Sequence, residues 1–130
     1  AKLVDMFCCL FELKRAGMRL TVLDHSMCPR FHVDRIPCRL ITTYIGAATE
    51  WLPHHSADRN KLGIGNEGKP DDQSGLFGSA RDIQQLSEGD VALLKGEAWA
   101  GNKGGGLIHR SPELTSEHQR LLLTLDFVDQ

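Results

Sequence analysis

The 130-residue sequence predicts an all-β barrel or jelly roll with one helix laid against it. Three observations carry that expectation. Seven or eight short runs of β-branched or alternating apolar residues are separated by Gly, Pro, Asp and Asn turns. Helical periodicity occurs once, at the N-terminus, and no internal repeat is found. A 41% hydrophobic and 25% charged composition fits one domain over 1–130, large enough to bury a core without staples.

The helix is read from Leu3, Met6, Phe7, Leu10, Phe11 and Leu13, with Gly17 as its stop, so 1–17 packs on the barrel. Cys8 and Cys9 inside it read as buried thiols. Met18 to Leu23 alternates Arg19 and Thr21 against Leu20 and Val22, the pattern of a half-buried strand. Asp24, His25 and Ser26 form a turn and not a nucleophilic triad, which assembles from distant positions. Phe31 to Asp34 is a strand cut short by Pro37, which cannot donate to a ladder. Arg39 to Ile45 is β-branched, with Leu40, Thr42 and Tyr44 on one face and Arg39, Ile41 and Thr43 on the other.

From Pro53 to Ala80 the chain is polar and rich in Gly, Asp and Asn, a long loop of the kind that borders a site mouth. Glu50 and Trp51 lead into it, and Trp99 is a further candidate at the mouth. Within the loop, GIGNEG has dinucleotide-binding letters but no preceding strand, and Pro70 blocks a following helix. His54 and His55 read as solvated loop residues. Ile83 to Leu86, a turn at Ser87 to Gly89 and Val91 to Leu94 form a hairpin by their turn chemistry. Gly101 to Gly106 lacks a P-loop ending and is a flexible connection. Ile108 and His109 lie on a late strand, and Arg120 to Phe127 closes the fold with Arg120, Leu122 and Thr124 on one face.

Several function classes drop out. A formal charge of -2 with scattered Lys and Arg supplies no footprint for nucleic acid or an anionic membrane, which leaves a small-molecule or protein substrate. No apolar run approaches the roughly 20 residues that cross a bilayer, and no signal peptide is visible. Four cysteines without a Cys-x-x-Cys point to reduced thiols in a cytoplasmic protein.

The chemistry is placed in CPRFHVDRIPCRL. His32 and Asp34 stand at i and i+2 of an extended segment, so both project to one face and can hold one metal ion. Shuffled sequences of this composition give a His-x-Asp roughly half the time, so the weight comes from the order of parts. His109 is the third ligand on a late strand. Arg120, at the head of the last strand, is an anion clamp in preference to a surface charge.

Through CPRFHVDRIPCRL, TEWLP, GDVALLKGEAW, IHRSPE and RLLLTLDF, the chain looks like a member of an uncharacterised bacterial family, domain of unknown function 1826. Such proteins are encoded near zinc-handling GTPases, which implies a role in zinc homeostasis. More distantly, the chain resembles the Fe(II)/2-oxoglutarate-dependent oxygenases of the double-stranded β-helix, cupin-like fold. That likeness rests on HVD followed by RLITTY, on GDVALL, and on His109 with Arg120; AATEW stands where those enzymes often carry Gly-Gly-Glu.

The oxygenase resemblance implies a double-stranded β-helix holding Fe(II) or Zn through His32, Asp34 and His109. It implies 2-oxoglutarate bound by Arg120, with Thr42 and Tyr44 facing inward to touch it. The alternative is a non-enzymatic metal-binding protein of zinc homeostasis, using the same three residues with Cys28 or Cys38 as a softer ligand.

Overall fold

The computed structural model describes residues 2–25, 29–114 and 119–128. Helix α1 spans Lys2–Leu10 and stops well short of Gly17. Glu12 takes a left-handed φ of 55°, and the N–H of Leu13 donates to the Cys8 carbonyl at 2.8 Å while that of Glu12 reaches Cys9 at 3.3 Å. Those two bonds close a Schellman turn, so the helix ends by satisfying its own carbonyls before any glycine is reached. Phe7 is its buried anchor, edge-on to Phe11 and Phe127 at 5.0 and 5.7 Å, and packs with Leu40 and Leu125.

The sheet strands in chain order are β1 (Ala16–Leu23), β2 (Cys38–Ile45), β3 (Glu50–Leu52), β4 (Gln84–Gln85), β5 (Val91–Lys95), β6 (Ile108–Arg110) and β7 (Arg120–Phe127). They make two antiparallel sheets, β1-β7-β2-β5 and β4-β3-β6. β7 lies inside the larger sheet, which its sequence RLLLTLDF suits because apolar residues point to both faces. Leu40 and Leu125 turn outward under α1. The residues between them turn the other way, toward the smaller sheet.

Two expectations of pairing fail. The turn at Ser87 to Asp90 forms, with Gly89 at φ 88° and Asp90 N–H bonded to Ser87 O at 3.0 Å, but its flanks do not make a hairpin. β4 pairs with β3, and β5 pairs with β2 over the register Cys38↔Lys95 to Thr42↔Val91. The exposed Gln84 and Gln85 offer little side-chain packing, whereas β2 offers a long β-branched partner. The Phe31–Asp34 segment is likewise not a full strand, being joined to β6 through the single bridge His32↔His109.

The 53–80 loop does not border the cavity between the sheets. Register pairs Leu52 with Ile108 and Trp51 with His109, so these pairs lie on opposite faces of the smaller sheet. Phe31, Leu52, Leu76 and Ile108 form a core on the outer face, against which Ala57, Leu62 and Phe77 of the loop pack. Short 3-10 turns at His54–Ser56, Arg59–Lys61 and Gly63–Asn66 shape the loop, and Asp58 N–H donates to Leu76 O at 2.8 Å. An outer face of apolar residues needs a cover, and the loop supplies it.

The thiols also sort differently from the sequence reading. Cys9 is exposed and Cys8 half-buried, because the helix turns Phe7 inward and carries Cys9 round to solvent; Cys38 on β2 is buried. Burial pushes the Cys38 thiol pKa up. A native thiol-labelling time course is therefore expected to modify Cys9 quickly and Cys38 only on unfolding. Fast labelling of Cys38 in the folded protein would contradict its placement.

Candidate metal centre

His32 and His109 face each other across β6's open edge. Each backbone N–H donates to the other's carbonyl at 3.0 Å, so the two residues form a directly opposed pair and their side chains share one face. The rings lie 4.6 Å apart, centre to centre. Asp34, two residues on, comes to the same face, while Phe31 and Val33 on either side of His32 point into the outer core. Alternation read from the sequence holds here even though the ladder is one bridge long.

One ligand atom from each of His32, Asp34 and His109 lies within 4.8 Å of the other two. Asp34 is the centre of the group, with Oδ1 3.8 Å from His32 Nε2 and Oδ2 3.5 Å from His109 Nε2. Its Oδ2 is buried without a hydrogen-bond partner among the described residues. His32 Nδ1 is 2.8 Å from the Arg30 carbonyl and His109 Nδ1 is 3.0 Å from that of Leu107. A carbonyl only accepts, so each Nδ1 carries a proton, and in the neutral ring each Nε2 presents its lone pair on the side of the carboxylate. Two imidazole lone pairs and an orphaned carboxylate oxygen are a donor set without an acceptor among them. Such a set fits a divalent cation, and the backbone bonds at Nδ1 are the outer-shell contacts that orient metal-binding histidines. Burial holds the His109 pKa below the usual histidine range, with Asp34 opposing that shift in part.

Backbone geometry holds the group in place. Glu97 N–H donates to Asp34 O at 2.8 Å and Gly96 N–H to Pro37 O at 2.9 Å, docking the Asp34 segment on the end of β5. A Cβ at Gly96 would overlap the Ile36 carbonyl, so this approach requires glycine. From outside, Asp71 Oδ2 accepts from Phe31 N–H at 3.0 Å and from Arg110 Nη1 at 2.9 Å, and Arg110 Nε donates to Glu50 at 2.7 Å. Arg110 also lies over the Phe31 ring at 4.2 Å. Glu50 is thus a strut behind the cluster and not a residue of its mouth.

A cavity of about 350 Å³ between the sheets is lined by His32, His109, Arg120, Arg19, Arg39 and Thr124, among others. Arg120 is 1% exposed, and its Nη2 donates to Thr49 Oγ1 at 2.7 Å and Thr43 Oγ1 at 3.1 Å, with Ser111 Oγ 3.5 Å from Nη1. Among the described residues its Nε has no hydrogen-bond partner and no carboxylate pairs with it. Burial pushes its pKa down to about 10.

Thr42 and Tyr44 are on the wrong side of β2 for this cavity. α1 packs on the Leu40 face, so Arg39, Ile41 and Thr43 turn inward, and Tyr44 is 45% exposed. Trp51 faces a separate small apolar cavity with Leu94 and Leu107. Trp99 packs edge-on against Phe11 at 5.5 Å, beneath Lys95. Cys38 lines the groove beside Phe11 and Trp99 and is not among the clustered ligands; Cys28 lies outside the described residues.

Sequence reasoning missed Arg39, whose Nε donates to Asp126 at 2.7 Å while its Nη1 stands 3.8 Å from Asp34 Oδ2. It also missed the three hydroxyls around Arg120. The signal for Arg39 and Thr43 was their shared alternation phase on β2, opposite to the phase selected.

These features describe a mainly β protein with one N-terminal helix, two antiparallel sheets and a His-Asp-His cluster between them. Residues 1–126 match the family described as "Protein of unknown function (DUF1826)", and the chain belongs to that family. No curated protein and no solved structure matches it. No helix among the described residues is long and apolar enough to cross a membrane.

Proposed function

We propose that the chain is a mononuclear metal protein of the double-stranded β-helix type, and that it oxidises an organic substrate with Fe(II), a 2-oxo dicarboxylate and O2. Two antiparallel sheets bounding one cavity support that architecture. The single observation that carries the activity is Arg120: a buried guanidinium without a carboxylate partner among the described residues, in the same cavity as the two imidazoles that flank the orphaned Asp34 oxygen. A charge kept buried and unpaired is costly, and an incoming carboxylate is the group that relieves it.

His32, Asp34 and His109 would hold the metal, presenting Nε2, a carboxylate oxygen and Nε2. Three protein ligands on one face leave the cavity side open to other molecules, unlike a closed structural zinc site. Bound there, Fe(II) supplies redox chemistry toward O2, with the 2-oxo acid as the second electron source. Arg120 takes the far carboxylate through its planar fork, whose orientation Thr43, Thr49 and Ser111 fix before the ligand arrives. The apolar wall of buried Leu23 and Ile41 with half-buried Leu122 excludes water from that pair.

The test is anaerobic Fe(II) reconstitution followed by titration with 2-oxoglutarate. A visible charge-transfer band that saturates is the expected result. If the protein shows no band and no affinity for any 2-oxo acid, yet holds zinc tightly, the oxygenase reading is replaced by zinc handling.

A further inference from the structure

Three arginines line the cavity, and they are not equivalent. Arg120 begins β7 and is buried at one end. Arg19 sits opposite Thr124 on β7, and Arg39 opposite Asp126. At a strand rise of about 3.4 Å per residue, Thr124 is roughly 13 Å along the wall from Arg120. Arg19 is exposed there, at the mouth, and among the described residues it has no ion-pair or hydrogen-bond partner. Arg39 lies diagonal to it across β7, two residues further along, bonded to Asp126 and reaching toward Asp34.

Charge in the cavity is one-sided. Three guanidiniums and a divalent ion would face the carboxylates of Asp34 and Asp126. A dianionic cosubstrate at the Arg120 end then leaves one positive charge over, and Arg19 is the cation still unengaged. Thr21 and Thr124 lie on the same wall with hydroxyls to share. The cavity, about 350 Å³, falls at the small end of the range for small-molecule pockets.

We propose that the open end of the cavity is an oxyanion site formed by Arg19, with Arg39 across β7 from it, and that the primary substrate is a compact small molecule carrying a carboxylate or phosphate. Its charged group rests at the mouth, and the rest of it extends inward toward His32. This rests on the oxygenase reading for the word substrate, but the anion site itself does not need the metal.

The experiment titrates inorganic phosphate, and separately acetate, into the purified chain, followed by two-dimensional amide NMR, with 2-oxoglutarate titrated in parallel. The tighter of the two probes identifies which oxyanion the site prefers. Arg19→Gln is expected to weaken that probe about fivefold to tenfold and to leave 2-oxoglutarate unchanged. Arg120→Ala is expected to do the reverse, and Arg19→Lys to recover part of the loss. Equal affinity of both probes for wild type and Arg19→Gln overturns the proposal, as does loss of probe binding in Arg120→Ala alone. Absence of 2-oxoglutarate binding with an Arg19-dependent anion site would reject the oxygenase reading and keep this one.

Discussion

Arg120→Met is expected to make the ligand-free protein more stable and to abolish its affinity for a 2-oxo dicarboxylate. Burial lowers the guanidinium pKa from its ordinary value to about 10. The folded state therefore holds this proton less firmly than the unfolded chain does, and the resulting penalty is present in full at every pH below about 10. At 1.36 kcal/mol per pKa unit it is about 3 kcal/mol. The methionine loses bonds to Thr49, Thr43 and Ser111, whose hydroxyls can rotate to other partners. The net gain is about 1–2 kcal/mol, within the range seen when buried charges give way to apolar residues of similar size.

Cosubstrate binding moves the other way. A charge-assisted pair shielded from water contributes about 2 kcal/mol or more, so the variant is expected to lose at least roughly 30-fold in 2-oxoglutarate affinity. Iron affinity stays close to that of the wild type, because no metal ligand is touched. Thermal unfolding without ligand and the charge-transfer titration read the two halves. A destabilised variant that still binds 2-oxoglutarate fully would reject both the clamp and the account of its buried charge.

His32→Ala, Asp34→Ala and His109→Ala are each expected to weaken metal binding by more than about 100-fold, beyond what loss of an outer-shell partner costs. His54→Ala serves as the contrast, since His54 is exposed in the covering loop and bonded to Arg59. Removing Asp34 takes away a buried oxygen that no donor satisfies, so the metal-free variant should unfold within a few degrees of the wild type. Metal content and metal-free melting thus separate a lost ligand from a lost fold. Wild-type metal content in all three variants would dismiss the cluster.

Local periodicity was enough to place several of these parts. Alternation put His32 and Asp34 on one face and set Arg120, Leu122 and Thr124 together on β7, because a pleated backbone obeys a period of two wherever it is extended. Helical spacing located α1, and β-branched enrichment located β2. The same period names two faces without saying which is covered, so Thr42 and Tyr44 were selected for the cavity where Arg39 and Thr43 belong. That choice was made by α1, which packs Phe7 on Leu40 and Leu125.

Partnerships between distant segments were beyond local pattern for the same reason. The turn at Ser87 to Asp90 was legible, but β5 turns from β4 to the longer β2, since pairing depends on what surface each strand meets. The covering loop followed the apolar outer face of Leu52 and Ile108, and took Glu50, through Arg110 and Asp71, to the back of the cluster. Residue identity determined which chemistry the chain can carry and which faces could share it. Packing of the helix and loop decided which face closed over the cavity, because burial is a property of surfaces that meet only in the folded chain.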